Sequence, residues 1–184
     1  FPLKGAGFII IHNPGSIGST HDTLAKQLRS DNLGVHFSVD RNGGVRQHAP
    51  MNVGVNHAVG VNNSSIGIEV LANAGPRTKQ GSPAKDFVVG PAKMYEAAYQ
   101  LVLKINRNAP NFKLRFPDYN KKEGLFYYGH KRKARGVTAH ASYVAMRTDG
   151  KIEVLYMALR YRHGFSMMKA HKICVDMHEI AKKS

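Results

Sequence analysis

The chain has 184 residues, a length that fits a single domain, and 42% of them are hydrophobic, which is enough to form a buried core. This composition excludes an intrinsically disordered chain, and the single cysteine excludes a scaffold held together by internal disulfides. The net charge of +15 favours polyanionic partners: nucleic acid, anionic lipid or an acidic cell-wall polymer. No apolar run is long enough to span a membrane, and we expect that any leader or further domain lies ahead of Phe1.

The first part of the chain predicts a strand followed by a helix. Residues 8–11 form an unbroken apolar run, typical of a short buried strand, and this run ends at His12. Ser19 and Asp22 resemble a capping pair at the start of a helix that stops near residues 32–34.

A hairpin and a second buried strand are predicted next. Apolar and polar residues alternate over 35–39, which is the periodicity of a strand. Asn42-Gly43 favours a tight turn, so residues 45–48 are predicted to return beside the first strand of a hairpin. Residues 65–71 predict another strand, in which Glu69 is the one carboxylate inside an apolar run.

The second half of the chain is less regular. Residues 73–90 are rich in Gly, Pro, Lys and Ser and predict a loop, and residues 109–135 predict an irregular basic insertion. The remaining predicted elements are a helix over 91–108, a strand over 136–139 that ends at His140, a strand over 152–157 and a final helix over 166–182.

This alternation of strands and helices predicts an α/β fold. We expect one domain over 1–184, with a central mixed β-sheet flanked by α-helices, the irregular insertion at about 109–135 and a C-terminal helix. The segment 151–184 is predicted to be a strand-and-helix extension of this domain.

Two predicted strands end in a histidine, which makes the strand ends candidate mounts for metal ligands. His12 and His140 are these residues, and Asp149 follows His140 by nine positions. Two histidines, a carboxylate and one open position form a catalytic zinc arrangement. The alternative is that both are ordinary histidines, since the chain contains 10 and chance groupings are common.

Four motifs occur in order along the chain and span a core of residues 8–150. They are I-I-I-H-N at 9–13, the predicted hairpin segment 34–45, residues 56–60 followed by 63–69, and His140 followed by residues 147–150. These motifs resemble those of the zinc-dependent N-acetylmuramoyl-L-alanine amidases, a superfamily that includes phage lysozyme-type amidases, bacterial type 2 amidases and peptidoglycan recognition proteins. In that superfamily the second and third motifs read G-Y-H-F-I-I-x-R-D-G-x-V and H-A-x-G-x-N-x-x-S-I-G-I-E. The fourth is a histidine followed by K-x-D-P-G.

The resemblance implies a role for each matching residue. His12, His140 and Asp149 fall on the three zinc ligands of the family, and one Zn²⁺ per chain is implied. Glu69 falls on the catalytic glutamate, which can take a proton from the attacking water and give it to the leaving amine. Arg147 stands where a lysine is frequent and implies oxyanion stabilisation, although a plain surface arginine is an equal alternative.

The resemblance also places substrate contacts and departures from the family pattern. His57, Asn63 and Val35 fall along the substrate groove. Val35 stands at a tyrosine position, so a mechanism that needs that hydroxyl is excluded here. Asn13 replaces a frequent second histidine, and Gly150 replaces the proline after the aspartate.

A second metal site and a nucleic-acid site are weaker hypotheses. His171, Cys174 and His178 share one face of the last predicted helix, yet that face is also an amphipathic core stripe, the interpretation we favour. The basic residues 130–135 favour a solvated loop or attraction to anionic wall polymers, and no motif typical of specific nucleic-acid binding is present.

The sequence therefore predicts a zinc hydrolase that cleaves the bond between N-acetylmuramic acid and L-alanine in peptidoglycan. We expect a monomer that acts on the cell wall or periplasm of a target bacterium, as a phage lysin or an exported bacterial enzyme. The alternatives are a non-catalytic peptidoglycan-binding module and a basic structural protein that binds polyanions.

Overall fold

The computed structural model describes residues 7–14, 20–72, 89–109, 112–116, 136–140 and 150–183. The strands are β1 (Phe8–His12), β2 (Phe37–Val39), β3 (Val45–Gln47), β4 (Ser65–Val70) and β5 (Gly136–Ala139). The helices are α1 (His21–Ser30), α2 (Ala92–Asn108), α3 (Lys151–His163) and α4 (Met167–Lys183), and a 3₁₀ turn spans Asn62–Ser64.

The five strands form one mixed sheet in the order β3-β2-β4-β1-β5. β1 pairs in parallel with β4 and β5, and β4 pairs in parallel with β2. Only β3 is antiparallel, as the returning strand of the hairpin whose turn contains Gly43 at φ +86°. The α/β prediction is confirmed, and the parallel strands point their carboxyl ends to one edge of the sheet.

Three helices cover one face of the sheet and form the main core with it. The strands contribute an unbroken apolar layer, which includes Ile9, Ile11, Ile66 and Ile68, all buried. α2 and α3 pack against that layer, and α4 packs on α2 and α3. Successive residues of β1 and β4 are buried on both faces of the sheet, which explains why these parallel strands appear in the sequence as apolar runs.

The opposite face is covered in part by α1. Leu24 of α1 packs with Val35 and Leu71 in a small second core. The helix is capped by Thr20 and Thr23, whose side chains each accept a hydrogen bond from the other's backbone N–H. The capping pair therefore lies one residue after the predicted pair of Ser19 and Asp22.

The strand predicted over 152–157 is wrong, because these residues belong to α3. Val154, Leu155, Tyr156, Met157, Ala158 and Leu159 are all buried. A helix that is apolar on every side loses its periodicity of 3.6 residues, so a buried helix and a buried strand look alike in sequence. The final predicted helix is confirmed as α4.

The predicted loop over 73–90 and the insertion over 109–135 fall largely outside the described residues. Within 112–116, Phe112 and Phe116 are buried in the main core. Among the described segments, none of the helices combines the length and the apolar character that crossing a bilayer demands.

A charged cluster connects α2 to α3. Glu96 accepts hydrogen bonds from Arg160 at 2.9 and 3.0 Å, from the Tyr156 hydroxyl at 2.6 Å and from Gln100 at 2.9 Å. Burial alone would raise the pKa of Glu96, but these hydrogen bonds outweigh it and lower the pKa to about 2. The ionised carboxylate therefore stabilises the folded chain.

We predict that Glu96→Gln lowers the free energy of unfolding at pH 7 by about 1.5–3 kcal/mol, because hydrogen bonds to a charged group are lost. Since the folded pKa lies below the unfolded value of 4.5, the contribution is complete above that pH and is lost as the pH falls toward about 2. Urea titrations at pH values from above 4.5 down to about 2 should show the free energies of unfolding of wild type and Glu96→Gln becoming equal. Asp176→Asn, in the exposed Lys172 pair, is the control and should change stability by less than about 0.5 kcal/mol. A constant difference between wild type and Glu96→Gln at every pH would contradict the prediction.

One glycine precedes α3 and another follows it, and both have a left-handed backbone. Gly150 has φ +84° and Gly164 has φ +61°. A side chain at Gly150 would overlap the backbone carbonyl of Ile11, whereas one at Gly164 would meet nothing within 4 Å. Proline fixes φ near −65°, so the proline that the family pattern places at 150 does not fit this backbone.

We predict that Gly150→Ala lowers the free energy of unfolding by about 2–5 kcal/mol, from left-handed strain plus overlap with β1. Gly164→Ala is the matched control, and it should cost only about 1–2 kcal/mol of left-handed strain. Thermal and chemical unfolding of both variants measure the difference. Equal losses would show that the close approach to β1 does not constrain Gly150.

Candidate active site

Polar side chains line up across one face of the sheet, near the carboxyl ends of the parallel strands. His12 on β1 is in register with Glu69 on β4, and Glu69 is in register with Ser38 on β2. His140 directly follows Ala139, the last residue of β5, and Ala139 pairs with Ile11, the residue before His12. These four residues therefore form one row, on the face away from the main core.

Three imidazoles meet at one end of this row. The ring centroids of His12 and His140 are 4.4 Å apart, and those of His12 and His57 are 5.2 Å apart. Nε2 of His12 lies 3.0 Å from Nδ1 of His57. The parallel pairing thus brings the two predicted ligands together, and the loop before β4 adds His57, a predicted substrate contact.

The hydrogen-bond partners of His57 determine its tautomer. Ser65 Oγ donates to the Val61 carbonyl at 2.6 Å and lies 3.0 Å from Nε2 of His57. Because the only hydroxyl hydrogen goes to Val61, His57 Nε2 must donate to Ser65, and its Nδ1 accepts from His12. Burial, followed by the neighbouring His12 and His36, lowers the pKa of His57 to about 2, so this imidazole stays neutral.

His36 lies behind this cluster as a structural histidine. Its Nδ1 accepts the Gly67 N–H at 3.0 Å, and its Nε2 donates to the Val53 carbonyl at 2.8 Å. Both ring nitrogens are used by the backbone, and burial lowers its pKa. His36 therefore connects β2, β4 and the loop before His57 without offering a lone pair to a ligand.

Close approach over Gly67 explains why the strand has no side chain there. A Cβ at Gly67 would lie 2.7 Å from Nδ1 of His57, which is less than any ordinary contact. The imidazole of His57 thus packs directly on the β4 backbone.

The loop that carries His57 is held by Asn62, which the sequence analysis missed. Asn62 Oδ1 accepts the backbone N–H groups of His57 and Ala58 at 3.0 and 2.7 Å. Its neighbour Asn63, predicted as a substrate contact, is exposed. Asparagine side chains in turns often hydrogen-bond to nearby backbone groups, and this tendency is the sequence signal that could have identified Asn62. Because Asn63 is the next residue, the signal alone does not show which of the two asparagines forms these bonds.

Val35, predicted as a substrate contact, lies in the small second core. Its side chain is only 2% exposed and packs with Leu24 and Leu71 beneath α1. Where the family pattern has the hydroxyl of a tyrosine, Val35 has methyl groups, and these pack in the small second core. Arg147 and Asp149 lie outside the described residues, so their roles stay predictions.

Asn13 and Glu153 tie the end of β1 to α3. Asn13 Nδ2 donates to Glu153 Oε1 at 3.1 Å, and both residues are buried. Glu153 is near the start of α3, where the helix dipole stabilises a negative charge. This contact fixes the backbone immediately after His12 from the side of the main core.

The alternative site on α4 is structural. Nε2 of His171 lies 2.7 Å from the Gly90 carbonyl, and Cys174 is fully buried against α3. Burial raises the pKa of the Cys174 thiol well above its usual range. The interpretation of this stripe as core packing agrees with these contacts.

The donor set of the imidazole cluster fits part of a zinc site. His12 and His140 are buried, close together and of a ligand type that zinc prefers. In the portion of the chain with described coordinates, no three His, Cys, Asp or Glu side chains are already grouped around a metal position. The described residues thus offer two ligands, and Asp149 is the prediction for the third.

Comparisons with known proteins identify relatives of the fold. The sequence profile of the family described as N-acetylmuramoyl-L-alanine amidase matches residues 4–150. No curated protein sequence matches the chain. 

Solved structures of low sequence identity share the fold. AMPDH3 from Pseudomonas aeruginosa, in complex with anhydromuramic pentapeptide, is similar with a TM-score of 0.62 and 16% identity, over 90% of this chain and 62% of that one. The amidase LysC from Clostridium intestinale has a TM-score of 0.54 and 12% identity, over 88% and 87% of the chains. PGRP-SA from Apis mellifera has a TM-score of 0.53 and 18% identity, over 86% and 84%.

We predict that Asn62→Ala loosens the His57 loop, because two backbone N–H groups lose their shared acceptor. The expected loss in the free energy of unfolding is about 1–3 kcal/mol. Amide hydrogen exchange at His57 and Ala58 should accelerate in this variant. Asn63→Ala, one residue away and exposed, is the matched control and should stay within about 0.5 kcal/mol of wild type. Unchanged exchange at both amides in Asn62→Ala would contradict the assignment.

Proposed function

Because the profile match covers residues 4–150, the chain belongs to the N-acetylmuramoyl-L-alanine amidase family, and we propose that it is an active, zinc-dependent member. Its reaction would be hydrolysis of the amide between the lactyl group of N-acetylmuramic acid and L-alanine. The observation that supports this most is the row in which His140, His12 and Glu69 stand side by side on adjacent strands. Two metal-binding imidazoles next to a carboxylate provide a ligand pair and a general base within one rigid element.

His12, His140 and Asp149 would hold the ion. Nε2 of His12 donates a hydrogen bond to Nδ1 of His57. A ligating histidine whose other nitrogen donates a hydrogen bond is held in one orientation, which is the part His57 plays here. Gly150, packed against the end of β1, supports a ligand at the preceding position. Zinc, when bound, polarises a carbonyl and lowers the pKa of a bound water.

Glu69 would perform the proton transfers. Its side chain is 8% exposed, so it is shielded from bulk water, and it stands near the carboxyl end of β4. The carboxylate takes a proton from the attacking water and gives it to the amine of L-alanine as the bond to the lactyl carbonyl breaks. Arg147 is proposed to stabilise the negative charge that develops on the carbonyl oxygen.

The setting we propose is the bacterial cell wall. Peptidoglycan is the substrate that the family assignment favours, and the net charge of +15 would draw the protein to anionic wall polymers. A phage lysin and an exported bacterial enzyme both fit these properties.

We predict that the zinc-loaded protein releases stem peptides that begin with L-alanine and leaves unpeptidylated glycan. Mass spectrometry of digested, purified peptidoglycan measures this directly. Release of neither product by a sample with confirmed zinc would overturn the amidase and favour a recognition module.

We predict that metal binding and turnover depend on different residues. His12→Ala should lose zinc, measured by metal analysis after dialysis, because a ligand is removed. Glu69→Gln should retain zinc and lose about 10²–10⁴-fold in kcat, because the amide cannot accept the proton. His171→Gln, a histidine of α4 bonded to the Gly90 carbonyl, is the control and should keep both properties. Near-normal turnover in Glu69→Gln would remove Glu69 from the mechanism.

A further inference from the structure

Exposed basic residues lie together at the edge of the sheet opposite to the polar row. Arg107 stands in the last turn of α2, and Arg162 stands in the last turn of α3. Lys113 and Arg115 lie on the short segment 112–116, which follows α2. All four residues are exposed, and none of them belongs to the imidazole cluster.

The contacts of Phe116 bring this segment onto α3 and β5. The Phe116 carbonyl accepts a hydrogen bond from Arg162 Nη2, and its ring centroid lies 5.0 Å from that of Tyr161. One residue earlier, the Arg115 carbonyl accepts the N–H of Val137 at 2.8 Å. The end of α3, the start of β5 and the segment between them therefore share one surface.

This surface lies at the amino ends of the strands, far from the polar row. Arg115 packs against Gly136, the first residue of β5, where an added Cβ would lie 2.9 Å from its own Cβ. His140 follows the other end of that strand. α3 begins where Gly150 packs against Ile11 at the carboxyl edge, and its 13 residues span about 20 Å. A ligand bound at the amino edge would therefore leave the carboxyl edge open.

The positive charge of this surface is not neutralised by the neighbours that the structure describes. Within those ranges, no carboxylate forms an ion pair with Arg107, Lys113 or Arg115. Glu96, the carboxylate between α2 and α3, is already bound to Arg160. The exposed cations therefore remain available to an anionic ligand.

The side chains of this surface favour a ligand that carries phosphate groups. Three of the four cations are arginines, and a planar guanidinium can donate two parallel hydrogen bonds to phosphate oxygens. Several cations on one surface favour a polymer over a single ion, because each neutralised phosphate releases a counterion. Tyr161 is 48% exposed and adds an aromatic ring against which the apolar parts of such a polymer can pack.

We propose that this amino-edge surface, formed by Arg107, Lys113, Arg115, Tyr161 and Arg162, binds a phosphate-bearing polymer of the bacterial cell wall. This inference rests on the proposed function, because an enzyme that cleaves peptidoglycan meets wall polymers beside its substrate. Nucleic acid is disfavoured since the sequence has no motif typical of its recognition, and binding to a lipid surface requires a broad apolar face in addition to charge. The polymer holds the enzyme at the wall while the polar row stays accessible to the stem peptide.

The test measures binding of the full chain to purified cell walls that contain phosphate polymers, and to the same walls after hydrofluoric acid has removed these polymers. Wild type should bind the untreated walls about tenfold or more tightly, and this binding should weaken as salt is added. The double variant Lys113→Gln/Arg115→Gln should lose about 10–30-fold in affinity for untreated walls, because two cations near the polyanion are removed.

The matched control is Lys26→Gln/Arg29→Gln, which removes one lysine and one arginine from exposed positions of α1 on the other face of the sheet. It should stay within about threefold of wild type, because distant exposed charges are screened by salt. Thermal unfolding checks that both double variants fold. If Lys113→Gln/Arg115→Gln does not fold, Arg107→Gln is the second variant and should lose about 3–6-fold in affinity, with Arg29→Gln as its control.

Equal binding of wild type to treated and untreated walls would overturn the proposal, because the phosphate polymer would not be the ligand. Equal losses in the two double variants would also overturn it, since net charge alone would explain the binding. So would tighter binding to duplex DNA or to phosphatidylglycerol vesicles than to untreated walls at equal phosphate concentration and ionic strength. Stem-peptide release is measured separately: wall binding without release contradicts the amidase alone, and release without binding to the phosphate polymer contradicts this inference alone.

Discussion

Parallel pairing of β5, β1, β4 and β2 is the constraint on which the site depends. Because these strands run the same way, residues near their carboxyl ends arrive at one edge and one face of the sheet. A shift of register by one residue would turn His12 or Glu69 into the main core and bring an isoleucine to the surface. The apolar alternates Ile11 and Ile68 prevent that shift, so the hydrophobic core fixes the geometry of the polar row.

A second set of polar contacts holds the residues of this row, and of the strand ends beside it, from above and below the sheet. On the core side, Glu153 reaches Asn13 at the end of β1. On the open side, Ser65 fixes His57, while His21 and His48 fix Ser38. Each of these contacts joins a different loop or helix to a strand end. The polar row is thus held in position from both faces of the sheet.

Much of this arrangement could be predicted from sequence, and the exceptions have physical reasons. Apolar runs identified β1 and β4, and the histidines at strand ends were recognisable because strands end where apolar residues end. The α3 segment was mistaken for a strand, since burial on all sides removes the helical pattern. Position in a motif also does not tell which way a side chain points: Val35, predicted as a substrate contact, is buried with Leu24 and Leu71. Networks such as His21–Ser38–His48 join residues distant in sequence, and only folding brings them together.

The contact between Asn13 and Glu153 has a consequence for how the domain can be divided. The family profile ends at residue 150, yet α3 begins at Lys151 and covers β1 and β5 with side chains such as Leu155 and Met157. A fragment cut at the profile boundary would expose to water the core face of the strands that carry the polar row, and Asn13 would lose its partner Glu153. The part of the chain that completes the core therefore extends through α3, beyond the part that the family profile matches.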